Sequence, residues 1–418
     1  MNDRTEHSAA APKSADYVTR ILASPDEISA SDWDDLLQRS HGDGESVSPF
    51  LRHAYLSALH HSGSAVACAG WHMQWITLWQ GRRLCAAAPL YLKDHSRGEY
   101  VFDWSWARAY QEHGFAYYPK GLVAVPFTPV PDQRLLGESA PARSALLQAL
   151  TDWARQHELS SLHLLFLPQS EALLAQEAGW SLRAGVQFHW VNQGWQDFDD
   201  FLSSLQQVKR KKIRQERRKV SDAGVTFTAK QGLDISPDDW ALFYRCYETT
   251  YWEHGNPPYL TPDFFTRMAS DMPENWVMFV AHDPQGQPFA TSLVGLSSDG
   301  QVAYGRYWGA LQELSCLHFE ACYYQPLAWC IAHGVQRFEG GAQGEHKMAR
   351  ALLPTPTTSA HWLAHPGFAD AVDRFTSEEA ESIASYKAWL EERNPFKPAP
   401  HNGTNTDETQ INTDKTQM

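Results

Sequence analysis

The chain has 418 residues, a formal net charge of −14, 43% hydrophobic and 20% charged residues. That balance excludes a wholly disordered or collagen-like chain, and the acidic charge excludes a protein coated in basic residues for nucleic acid, although not a local basic patch. Six cysteines without a CxxC pair, no apolar core in the first residues and no apolar run longer than Leu162–Leu167 point to a reduced cytoplasmic protein without a structural zinc.

Residues 1–17 and 397–418 are small and polar and are expected to be unstructured, leaving a folded body over 18–396. Trp75–Gln80 and Arg83–Lys93 flank a turn at Gly81. His95 to Val130 is irregular and rich in aromatics, His, Arg and Pro, and Asp103, Tyr110, Tyr118 and Lys120 are its candidates for a cleft. Pro141 opens a helix whose Ala142, Leu146, Ala149, Leu150 and Trp153 share one face, and Ser161–Leu167 returns as a buried strand.

Phe201, Leu202, Leu205, Val208 and Ile213 fit one amphipathic helix that carries a concentrated basic run. Lys209, Arg210, Lys211, Lys212, Arg214, Arg217, Arg218 and Lys219 are broken by one acid, Glu216, and invite phosphate: tRNA, coenzyme A or an anionic membrane surface. Ser236-Pro237 and Thr261-Pro262 each open a helix, the first with a core-facing stripe of Trp240, Phe243, Tyr244, Tyr247 and Tyr251. A strand meander follows, over 276–283, 288–296 and 301–308, turning at Pro284-Gln285-Gly286 and Ser298-Asp299-Gly300. A helix over 317–333 stops at Gly334, a short strand spans 335–339, and an acidic helix from Ser377 is expected to bury Ile383, Trp389 and Leu390.

Two clusters carry chemistry. Gly340 to Arg350, GGAQGEHKMAR, leaves a strand end, where α/β folds place ligands, and gathers Gln343, Glu345, His346, Lys347 and Arg350. Glu345 or His346 is suited to take a proton from an attacking amine, and Lys347 and Arg350 to hold an anion. The second cluster is Arg306, Tyr307 and Trp308 with His318, Glu320, Tyr323 and Tyr324. The His and Glu spacings match no standard metal site, and neither GxxxxGK[ST] nor GxGxxG occurs.

The stretches SPFLRHAYLSALHHSGS, GRRLCAAAPLYLKDHSRGEYVFDWSWARAY, YYPKGLVAVPFTPV, VKRKKIRQERRKV, YGRYWGA, LHFEACYYQ and GAQGEHKMARALLPTPTTSAHW make the chain resemble the FemAB-like "peptidoglycan biosynthesis/recognition" family of N-acyltransferases, which is related to the GNAT superfamily. The resemblance implies an α/β (α+β) fold of two tandem GNAT-like domains, 18–200 and a catalytic 201–396, each a mixed, largely antiparallel sheet flanked by helices. It also implies a cleft where the fourth and fifth strands of the second half separate, with the Gly340–Lys347 loop at its mouth.

The implied activity is transfer of an acyl group to an amine of a lipid or cell-envelope precursor. The expected co-substrate is acyl-CoA or another acyl carrier, with no permanently bound cofactor and no metal. Alternatives are an aminoacyl-tRNA donor, the one case calling for nucleic acid, or a non-catalytic protein that binds an envelope ligand. Peripheral contact with the inner face of an anionic membrane is a further expectation. Two departures stand out. The [RQ]xxGx[GA] loop of GNAT enzymes is replaced by GALQELSCLHF, and Ala351 stands where the resemblance implies Gly.

Overall fold

The computed structural model describes residues 17–42, 44–342 and 344–397, so the expected unstructured ends, apart from Tyr17 and Lys397, lie outside it, as does Gln343. The fold is mixed α+β. A four-stranded sheet runs β1 (Val18–Leu22), β3 (Trp75–Gln80), β4 (Arg83–Ala88) and β7 (Leu136–Gly137). The main sheet has eleven strands. From one edge they are β10 (Thr226–Gln231), β11 (Trp276–His282), β12 (Pro288–Leu296), β13 (Val302–Ala310), β14 (Arg337–Glu339), β9 (Ser181–Val191), β15 (Leu353–Leu363), β8 (Ser161–Leu167), β6 (Lys120–Val123), β5 (Leu90–Lys93) and β2 (Trp71–Met73).

The helices are α1 (Ala30–Ser40), α2 (His53–His61), α3 (Trp104–Glu112), α4 (Ala140–Gln156), α5 (Gln169–Glu177), α6 (Phe198–Ser204), α7 (Gln207–Asp222), α8 (Pro237–Glu253) and α9 (Pro262–Asp271). Next, α10 (Leu317–Phe319) continues through a π turn, Glu320–Tyr324, into α11 (Gln325–Ala332), and α12 (Pro366–Glu391) closes the chain. Among the described residues no helix is long and apolar enough to cross a membrane.

Local chemistry sets most boundaries. Ser236 and Asp239 form a reciprocal capping box on α8, Thr261 caps α9 and Ser139 caps α4. The α8 stripe does face the core, where Phe243, Tyr247 and Phe265 pack around Tyr307. Three expectations are corrected. The 83–93 strand is broken at Pro89, which has no N–H for a ladder, so β4 and β5 fall in different sheets. The basic run does not extend the Phe201 helix: the chain kinks at Leu205, which bridges to Phe396, and Val208 is 76% exposed. The last helix starts at Pro366, capped by the His365 side chain, rather than at Ser377; it buries Leu390 but leaves Trp389 37% exposed and Ile383 half-buried.

The main sheet is stitched from both halves. β9, from the first, lies between β14 and β15 of the second, and β15 in turn pairs with β8 of the first. Each half also contains one parallel strand pair. In the first half, β6 and β8 match over Gly121–Val123, and the chain beyond buries Phe127, stacked on Tyr259. In the second half, β13 and β14 match over Val302–Tyr304 and then part, because β14 ends at Glu339 while β13 runs on to Ala310.

Ala351 sits at φ +65°, in the left-handed region that favours Gly. It is buried, and ends the 3-10 turn Glu345–Arg350. Ala351→Val should cost about 2–3 kcal/mol, because a β-branched side chain is a severe outlier there. Ala351→Gly should stay within ~1 kcal/mol of the parent, relief of strain being offset by the lost methyl and a freer unfolded chain. Urea unfolding of both variants checks the pair.

Candidate active site

The parting of β13 and β14 leaves β13 with β12 as its one strand partner beyond Tyr304 among the described residues. A bulge at Arg306 accompanies it, since Leu293 pairs with Tyr307 but Val294 with Gly305. The opening is a cavity of about 140 Å³, lined by Leu293, Gly305–Trp308, His318, Cys322, Tyr323 and Phe338. The helix beside it is locally a π turn, which directs Cys322 and Tyr323 toward the cavity and Glu320 away from it. On the far side α8 presses on β13 so closely that a Cβ at Gly309 would lie 1.8 Å from the Cys246 carbonyl oxygen.

His318 lies against Trp308, ring centroids 5.2 Å apart, and among the described residues nothing hydrogen-bonds its ring nitrogens. Burial and the nearby His346, Arg350 and Lys347 push its pKa down to about 4, so the imidazole is neutral at pH 7. Behind it the Tyr323 hydroxyl and His346 Nε2 are 3.2 Å apart, and burial with the Arg350 and Lys347 charges lowers His346 as well. The Cys322 thiol is pushed far up by burial and is no nucleophile.

Arg306 is a half-buried cation at the seam between halves. It donates to the Phe127 carbonyl at 3.0 Å, Thr128 Oγ1 at 3.2 Å and Tyr307 Oη at 3.0 Å, while its Nε has no partner among the described residues. Among the described residues no carboxylate pairs with it.

Several expected site residues are engaged elsewhere. Glu345 is exposed and lines neither this cavity nor the larger one beside it, because the 3-10 turn rotates it outward. Lys347 is drawn inward: its Nζ donates to the carbonyls of Gly341 at 3.0 Å and Ala342 at 3.2 Å, so it holds the loop rather than an anion. Burial brings Lys347 down to about 8. Arg350 is stacked 3.5 Å over Phe319 and paired with Glu216 at 3.0 Å, and Tyr324 donates to the same Glu216, so neither faces the cavity. Glu320 is bound by Arg217 and Gln325.

The FemAB-like family, described as peptidoglycan biosynthesis/recognition, matches residues 24–398. The chain belongs to that family. No curated protein matches this FemAB-like chain. Among solved structures it is similar to FemX, at 10% identity and TM-score 0.51 over 83% of this chain and 98% of that one. It is also similar to the C-terminal domain (DUF2156) of a putative lysylphosphatidylglycerol synthetase from Agrobacterium fabrum, at 12% identity and TM-score 0.50 over 85% and 97%. At such identities the likeness is one of fold.

The remaining predicted residues of the FemAB-like chain lie apart from the cavity. On α7, Arg217 pairs with Glu320 and stacks on Phe198, and Arg214 reaches Asp199 at 3.4 Å. Lys209, Arg210, Lys211, Lys212 and Arg218 have no carboxylate partner among the described residues, and Lys211, Lys212 and Arg218 are exposed.

Asp103, Tyr118 and Lys120 do meet, but in a buried network of the first half. Lys120 Nζ donates to Glu99 at 2.7 Å, to Ser96 at 2.8 Å and to Asp103. Tyr118 bonds Ser96, Tyr117 joins Asp103 to His163, and His163 meets His361 of β15 at 2.8 Å. Cys322, Phe338 and Leu293 of the cavity, and His163 and His361 of the network, went unread. Cys322 sits in a recognised stretch, but the histidine pair is 198 residues apart and left no local signal.

Proposed function

We propose that the protein is an N-acyltransferase that moves an acyl group from a thioester donor to an amine of a lipid or cell-envelope precursor. The observation that carries this reading is the free edge of β13 over a cavity of mixed polar and apolar lining. Backbone N–H groups between Gly305 and Trp308 that lack a strand partner among the described residues are suited to polarise a carbonyl, and Leu293, Val294 and Phe338 offer apolar surface to an acyl group. Arg306, a cation without a carboxylate, adds positive potential where the tetrahedral oxyanion would form. His318, rather than Glu345, accepts the amine's proton. The thioester C–S bond breaks, an amide C–N bond forms, and the proton leaves with the thiol.

A weak base suffices here. The nitrogen of the tetrahedral adduct carries a positive charge and is far more acidic than the free amine, so a neutral imidazole can take its proton.

The second reading, an aminoacyl-tRNA donor, is favoured by one observation: Lys211, Lys212 and Arg218 of α7 are exposed and have no carboxylate partner among the described residues. The test gives the purified full chain a long-chain acyl-CoA, or an aminoacyl-tRNA, with candidate amines, and detects amide by mass spectrometry. Amide from acyl-CoA alone is the expected result. Amide from aminoacyl-tRNA alone would replace the donor, and none from either would remove the reading.

A further inference from the structure

Trp308 and His318, which line the β13 cavity, also line a wider mouth of about 600 Å³. The walls of that mouth are the 311–317 loop and the end of α8. Leu311, Leu314 and Leu317 make it partly apolar, Glu253 and Glu313 are its carboxylates, and among the described residues no Lys or Arg lines it. A thioester on a neutral, amide-rich arm suits such a mouth. Phosphate groups find no seat there, because two carboxylates repel them and no cation pairs with them. A phosphorylated donor has to be held by its phosphate outside the mouth.

Free cations stand past the rim, on α7. Leu317 of the mouth and Val220 on the last turn of α7 are buried in one apolar cluster, so α7 ends beside the rim. Lys211, Lys212, Gln215, Arg218 and Lys219 are exposed and, at helical spacing, form one stripe opposite the buried Ile213, Glu216 and Val220. The four cations of the stripe have no carboxylate partner among the described residues. From Lys219 back to Lys211 the stripe runs about 12 Å, and Val208, 76% exposed, continues it by a further turn.

That length decides what covers it. A free phosphorylated donor would engage Arg218 and Lys219, beside the mouth, and leave Lys211, Lys212 and Val208 unused. RNA needs a broader positive field, whereas Asp199 and Asp222 line the groove alongside Arg214 and Arg218, so charge of the wrong sign flanks the stripe. One acidic helix laid along α7 matches the stripe in width, length and charge, and its contact would bury the apolar end at Val208.

We propose that the exposed face of α7 docks a small acidic carrier protein that bears the acyl thioester on a phosphate-linked arm. The phosphate meets Arg218 and Lys219, and the neutral arm crosses the 311–317 loop into the mouth. Beside Trp308 and His318 the C–S bond breaks, the amide C–N bond forms, and the carrier leaves as its free thiol with the proton. This inference rests on the acyl-transfer reading for the chemistry, but not for the docking.

The test titrates the full chain into a fluorescently labelled acyl carrier protein charged with palmitate and reads the anisotropy. Saturable binding is expected, weakened about tenfold or more as salt rises to roughly 0.3 M. Lys211→Glu with Lys212→Glu should weaken it by about tenfold, whereas Lys211→Arg with Lys212→Arg should not. Val208→Asp, at a site already open to solvent, should weaken it too and guards against misfolding of the double reversal. In turnover assays the double reversal should raise KM for the palmitoyl carrier about tenfold more than KM for palmitoyl-CoA. No binding of the carrier, binding that neither the reversal nor Val208→Asp weakens, an equal rise in KM for both donors, or release of the bound carrier by tRNA at equal concentration would overturn the proposal. Binding without amide from either thioester would keep the docking surface and remove the acyl-transfer reading, whereas amide from palmitoyl-CoA without carrier binding would do the reverse.

Discussion

His318→Ala should lower turnover of thioester and amine by about 10²- to 10⁴-fold, the usual span for losing a positioned proton acceptor. The fall should appear in kcat, with KM for the thioester little changed, because the imidazole meets the reacting nitrogen and not the acyl chain. The pH profile sharpens the test. A pKa lowered to about 4 means that the neutral imidazole is present above that value and is lost as pH falls through it. Between pH 5 and 8 the rate should therefore rise only with the free amine fraction of the acceptor, with no histidine step near 6.5. A wild-type histidine step within that window that vanishes in His346→Ala would move the proton acceptor to His346. Full activity in His318→Ala would dismiss His318 outright.

Lys120→Met should destabilise the fold by about 3–5 kcal/mol, as expected when one partner of a buried ion network is removed and the others stay buried. Lys120 is the cation between Glu99 and Asp103, all three buried. Burial pushes Glu99 up to about 7 even with that cation present. Burial also pushes Asp103 upward, but the Lys120 charge and hydrogen bond outweigh it and hold the carboxyl well below its ordinary range.

Without Lys120 both carboxyls must be protonated to stay buried. Their folded pKa values then rise above the unfolded ones, so the penalty grows as pH rises through neutrality and shrinks toward pH 4. Urea unfolding at pH 8 and pH 4.5 should show the larger deficit at pH 8. A deficit equal at both, or below ~1 kcal/mol at pH 8, would mean that the network carries no such charge.

What the sequence made legible follows from range. The 276–310 meander was readable because its alternation and both turns are local, and the α8 cap and stripe sit within one helix. The exchange of β9 and β15 was not, since register between strands so distant in the chain is written only in three dimensions. The Gly340–Arg350 cluster shows the same divide. Its residue types were read correctly as polar and charged, yet a 3-10 turn, two backbone carbonyls and the distant Glu216 decide that Glu345 points out and that Lys347 and Arg350 point in. His318 lines the cavity because it lies on the helix that borders β13, close in sequence to Trp308.

The traded strands also bear on how such a protein can come apart. A cut between the halves would strip β9 from between β14 and β15, leaving each fragment with unpaired backbone along a sheet edge. Neither fragment would then keep the main sheet whole. Heating should melt both halves as a single cooperative unit, and a dye attached to either one would report the same midpoint.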